Sequence, residues 1–151
     1  MPEVARVPRI VVGVAGGIAA YKTVSLVREL VKSGADVTVV PTESALKFVG
    51  RPTWEAVSRN EVSDDLFDDV AAVRHVALGQ SADAIVIAPA TAHTVASLAA
   101  GLAGNLLGTT VLASSAPLVL APAMHTEMWD HPSVRANIAT LLARGATVVG
   151  P

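Results

Sequence analysis

The stretch RIVVGVAGGIAAYKTVSLVRELVKSGADVTVVP, residues 9–41, limits the possible folds more than any other part of the chain. RIVVGV is β-branched, apolar and bounded by turn residues, the pattern of a strand buried on both faces. After two glycines, Ala20, Val24, Val27 and Val31 recur at helical spacing, with Lys22, Ser25, Glu29 and Lys32 on the other faces. Gly34 is placed to stop that helix, and DVTVVP reads as a second buried strand. A strand, a helix and a strand in this order give neighbouring parallel strands. AIVIAPA (84–90) and APLVLAPA (116–123) read as two more buried strands, each ending in Ala-Pro-Ala. TAHTVASLAAG, NLLGTTVLAS and SVRANIATLLARG read as helices, and ATVVGP as the start of a last strand. The expected fold is α/β, a doubly wound open parallel sheet in one domain over residues 1–151, with ligands at the carboxyl ends of its strands. Residues 50–80 are the least regular, and the acidic run DDLFDD within them is expected to be a solvated face.

Composition narrows the function. Apolar residues make up 52% of the chain and aromatics only 3%. The core is therefore Ala, Val, Leu and Ile, and the apolar excess points to subunit interfaces. A net charge of −2 gives no strong pull toward nucleic acid or an anionic membrane surface. No run approaches the ~18 apolar residues of a membrane span, and MPEVARVPRI has no signal-peptide core. The sequence has no Cys, which excludes disulfides and thiolate metal sites and fits a cytoplasmic protein.

Each motif admits a functional and a structural reading. Gly16 and Gly17, following Gly13 in the first strand, join that strand to the first helix, where bare backbone amides and the helix dipole favour an anion. The spacing is not that of the dinucleotide fingerprint, and a tight turn explains it equally well. Thr42 and Ser44 follow the neighbouring strand and either complete a phosphate site or cap a helix. Thr91, Asn105, Thr109 and Thr110 lie on small-residue surfaces that suit a flat aromatic cofactor or close helix packing. His75, beside Arg74, lies outside any clear periodic element and either exchanges protons or fills a structural niche. His125, Glu127 and His131 lack the spacing of a helical metal motif, and Pro132 argues against one helix carrying all three, so no metal is expected.

Taken in order, GVAGGIAAYK, TESALKF, HVALG, ADAIVIAPATAHT, AGNLLGTTVLA and APAMHTEMW resemble the homo-oligomeric flavin-containing cysteine decarboxylases from about Arg9 to the last residue. The resemblance implies FMN bound between subunits of a trimer, with trimers assembling further, up to a dodecamer. By position, the cofactor would be held by Gly16, Gly17, Ile18, Thr42, Ser44, Pro89, Ala90, Thr91, Asn105, Leu106 and Thr109, with Gly17, Thr42 and Ser44 on the phosphate. His75 would be the catalytic histidine. Ala123, Met124, His125, Met128 and Trp129, after Pro122, would form the substrate loop. The family usually has Asn where this chain has His125, which can still donate to a carboxylate.

The implied reaction is oxidative decarboxylation of the cysteine moiety of phosphopantothenoylcysteine in coenzyme A biosynthesis. Oxidation of the CH2–SH unit to a thioaldehyde gives a C=S group that holds the electrons as CO2 leaves, and the product is an enethiolate. Two other outcomes fit the same resemblance: a decarboxylase of C-terminal peptidyl cysteine, and a non-catalytic flavoprotein subunit. Flavin prenyl transfer is disfavoured by the Pro-Ala-Met loop followed by Met-Trp. Many relatives reduce the enethiolate with a cysteine on a flap beyond the last strand. This cysteine-free span stops at VVGP, where that flap would begin. Either the flap lies in a further segment, or it works without Cys, or the enethiol is released. The span alone is expected to bind FMN and perform only the oxidative half.

Overall fold

A computed structural model of the chain describes residues 6–62 and 69–151. Five strands, β1 (Arg9–Val14), β2 (Asp36–Pro41), β3 (Ala84–Ala90), β4 (Leu118–Pro122) and β5 (Thr147–Val148), form one all-parallel sheet in the order β2-β1-β3-β4-β5. The chain winds outward from β1 to β2, then crosses back to β3 and continues the other way. The winding therefore reverses between β1 and β3, where a crevice opens at the carboxyl ends. The first three strands have the boundaries expected from sequence. β4 is shorter than the expected 116–123, because Ala116 and Pro117 complete a turn in which the Ala116 amide donates to Ser114 Oγ at 3.0 Å.

The helices are α1 (Ala20–Lys32), α2 (Arg51–Ser58), α3 (Asp69–Ser81), α4 (Ala92–Ala99), α5 (Leu106–Leu112), the single turn α6 (Thr126–Trp129) and α7 (Pro132–Ala143). Alternation along β1 divides the interior. Val12 and Val14 join α1, α2 and the fully buried Trp54 on one face, while Val11 joins residues of α3, α4, α5 and α7 on the other. α1 buries Ala20, Thr23 and Val27, with Val24 and Val31 only partly covered. Thr23, which periodicity did not single out, donates to the Ala88 carbonyl at 2.7 Å and ties α1 to β3. The helix stops where expected, with Gly34 at φ +100°, a conformation other residues resist.

Among the described residues, the irregular region contains two helices, α2 and α3. α3 buries Ala71, His75 and Gly79, and leaves Val70, Val73 and Val76 exposed. Its buried stripe is small or polar and its outer stripe is apolar, so ordinary amphipathic periodicity does not reveal it. A Cβ on Gly79 would run into the Thr110 carbonyl, so this glycine sets the close approach of α3 to α5. The expectation that the acidic run at 64–69 is a solvated face falls on side chains outside the described residues.

Candidate functional site

The strand ends are stitched together by backbone hydrogen bonds. Ala15 N–H donates to the Pro89 carbonyl (3.1 Å), Thr42 N–H to Val14 (2.9 Å) and Ala123 N–H to Ala90 (3.1 Å). The loops after β1, β2, β3 and β4 therefore share one end of the sheet. They enclose a cleft of about 1000 Å³ whose wall includes Gly16, Gly17 and Ile18, Thr42 and Ser44, Pro89 and Thr91, Asn105, and Ala123, Met124, His125 and Met128. Twelve of the seventeen residues expected from sequence to form the site are thus brought together. That volume is at the upper end for a small-molecule site.

The two glycines of the first loop differ. A Cβ on Gly16 would lie 2.5 Å from Ser44 Oγ and 3.0 Å from the Ser44 carbonyl carbon, so this glycine lets two loops touch. A Cβ on Gly17 would meet only Thr91 Cγ2, at 3.6 Å, so its open side faces the cleft. The hydroxyls differ too. Thr42 Oγ1 accepts from Ala45 N–H (3.2 Å) and so serves as a cap, but its own hydrogen remains to donate. Ser44 makes no capping bond. Thr91 caps α4 by accepting from Thr94 N–H at 3.2 Å, and Asn105 caps α5 by accepting from Gly108 N–H at 2.8 Å. The Asn105 cap uses the carbonyl oxygen and leaves its NH2 for a ligand.

Five expected residues stand off the wall. Ala90 and Leu106 are buried in the core, and Thr109 donates its hydroxyl to the Asn105 carbonyl within α5 (3.1 Å). Trp129 packs against the core beneath its loop, whereas Met124 both touches that core and lines the cleft. His75 is on α3, 5% exposed, beside a separate cavity of about 90 Å³ lined by Thr38, Val39, Glu61, Arg74 and Leu78. Its Nδ1 lies 2.7 Å from the Ala71 carbonyl, which only accepts, so Nδ1 carries the hydrogen and Nε2 the lone pair. Burial pushes the His75 pKa below the ordinary 6.5; the Ala71 bond opposes this and the Arg74 charge reinforces it.

Sequence reasoning missed Glu43, His93 and Ser97, which also line the cleft. His93 occupies the first turn after β3, and its place directly beyond a strand's carboxyl end was the available signal. His131 Nδ1 accepts from Ser133 N–H at 3.1 Å and caps α7. Among the described residues, no three His, Asp or Glu side chains are grouped to hold a metal ion. Among the same residues, no helix is long and apolar enough to cross a membrane.

The family described as Flavoprotein matches residues 2–151. The coenzyme A biosynthesis bifunctional protein CoaBC of Mycolicibacterium smegmatis is 57% identical over 143 residues, which is 95% of this chain and 34% of that protein. The chain thus spans about a third of the length of the curated relatives it matches. Among solved structures, the FMN-dependent cysteine decarboxylase TvaF from thioviridamide biosynthesis superposes with a TM-score of 0.89 at 31% identity, covering 95% of this chain and 90% of that one. A PPC decarboxylase mutant complexed with pantothenoylaminoethenethiol gives 0.83 at 30% identity, covering 97% and 83%.

Proposed function

The chain belongs to the Flavoprotein family, and from that premise we propose that it binds FMN in the cleft between β1 and β3 and decarboxylates the cysteine moiety of phosphopantothenoylcysteine. The observation that carries this reading is the composition of the cleft. One end offers an open glycine and uncommitted donors, and the other carries the Met-His loop. FMN fits this donor set. No Lys or Arg lines the cleft among the described residues, so a phosphate falls to backbone amides near Gly17 and to the Ser44 and Thr42 hydroxyls. The Asn105 NH2 is available to a ring system lying against Pro89, while the Thr91 hydroxyl is committed to Thr94 Oγ1 at 3.2 Å. When bound, FMN supplies a two-electron acceptor for the thiol-bearing carbon of the substrate.

This chain's own residues then have distinct tasks. His125 donates to the substrate's carboxylate end, while Met124 and Met128 exclude water around the reacting carbon. His75 holds an unprotonated Nε2 at neutral pH and is suited to take the thiol proton. It is absent from its own cleft's wall, so its action requires a second copy of the chain. The exposed Val73 and Val76 flank it on α3, an apolar face suited to burial against that copy. A trimer or a multiple of it, with each α3 meeting a neighbour's cleft, reconciles these facts.

The test is to purify the protein, release and identify its cofactor, and incubate it without oxygen with phosphopantothenoylcysteine and, separately, with a peptide ending in cysteine. FMN, CO2 loss and an enethiol-type product from the first substrate are expected. Preference for the peptide would reassign the substrate, and a flavin-loaded protein inert toward both would leave the non-catalytic reading standing.

A further inference from the structure

The chain has four histidines, and the structure separates them into two pairs. His75 and His131 are each engaged by backbone through a ring nitrogen. His93 and His125 are exposed, line the cleft, and have no partner at either ring nitrogen among the described residues. The segments that carry this second pair leave neighbouring strands and line the same cleft. Ala90 of β3 and Pro122 of β4 are paired, and Ala123 N–H bonds to the Ala90 carbonyl. His93 is the third residue after Ala90 and His125 the third after Pro122. Among the described residues of the cleft wall these are the only two side chains able to carry positive charge, against the single carboxylate of Glu43.

We propose that His93 and His125 form one two-imidazole seat for an anionic group of the substrate, and that His93 is a substrate-binding residue. An imidazole can donate an N–H to an anion and does so more strongly when charged. The His93 backbone is held in place, its carbonyl accepting from Ser97 Oγ at 2.9 Å and the first turn of α4 capped by Thr91. With His125 on the substrate's carboxylate end, that carboxylate is the expected anion, and the phosphate is the alternative the experiment distinguishes. This inference rests on the decarboxylase reading above.

The experiment uses FMN-loaded protein, wild type and His93→Gln, and phosphopantothenoylserine, in which a hydroxyl replaces the thiol so that the ligand binds without reacting. Its analogues lacking the carboxylate or the phosphate complete the set. For the full ligand, His93→Gln should weaken binding about tenfold, the loss of one hydrogen bond to a charged group, with FMN content unchanged. The analogue whose affinity no longer depends on His93 identifies the anion. His93→Lys, which keeps a cation at the position, should restore part of the affinity. Equal affinity of wild type and His93→Gln for every ligand would overturn the seat, as would loss of FMN from His93→Gln. Wild-type protein that neither binds the analogues nor decarboxylates the cysteine compound would refute the decarboxylase reading and this inference with it.

Discussion

β3 and β4 both end in Ala-Pro-Ala, and the two tripeptides have opposite fates. Ile87 pairs with Leu120, but three residues later Ala90 pairs with Pro122, so the register slips by one. After the slip Pro89 lines the cleft and Ala90 is buried, whereas Pro122 is buried and Ala123 lines the cleft. A slip of one residue along a strand exchanges its two faces. The residues beyond the two tripeptides also behave differently. Thr91 caps an eight-residue helix with its hydroxyl, while His125 begins a single turn without using its side chain and so keeps its ring for the cleft. Identical local sequence thus leads into a capped helix on one strand and an uncapped turn on the next.

If these two ends formed the whole site, a histidine on α3 would not contribute. His75→Asn is therefore the strongest challenge to the comparison. We expect activity to fall by roughly 10²–10⁴-fold, the usual worth of a positioned acid-base group, with FMN retained; activity within a few-fold of wild type would return the site to the two strand ends. The register slip is tested next. Ala90→Val should destabilise the fold by about 1–3 kcal/mol through overpacking, while Ala123→Val should leave the denaturation midpoint in place and weaken ligand binding. Equal destabilisation of both would mean that the two tripeptides are equivalent after all.

Smaller effects sharpen the picture. Thr91→Ala should cost about 1 kcal/mol of stability for a lost helix cap, and His125→Ala close to none, by chemical denaturation of each. His125→Asn should keep turnover within a few-fold, since the resembling enzymes usually carry Asn there; an inactive, folded variant would show a specific need for imidazole. The smallest effect is in pH dependence. His75 is held below its ordinary value of 6.5, so the native state resists protonation. Above that pH both native and unfolded chains hold it neutral. As pH falls through it, the unfolded chain takes up the proton first and stability declines. Denaturation midpoints measured downward from neutral pH should fall less steeply in His75→Gln than in wild type.

Most of the sheet was legible because fully buried parallel strands must be continuous apolar runs, and the turns between them need glycine or proline. β1, β2 and β3 were delimited to the residue on that basis. The site was legible as a set of loops, since ligands gather where strand order reverses. α3 was not legible, because its apolar face points outward and its buried face is Ala71, His75 and Gly79. Gly16 looked like part of an anion cradle, yet the neighbour that requires a glycine there is Ser44, which is remote in sequence and close in space.

The sequence by itself determined the order and type of the principal strands, the handed strand-helix-strand start, the family resemblance and most of the residues that meet in the cleft. All of these stem from side-chain periodicity and backbone chemistry, which act over a few residues. Tertiary structure decided which member of each motif faces the cleft. It buried Ala90 and Leu106, turned Trp129 onto the core, set His75 away from its own cleft and put His93 and His125 on the wall of one cleft. The physical reason is that facing depends on strand register and on close contacts between distant segments, and neither is encoded at the positions it affects.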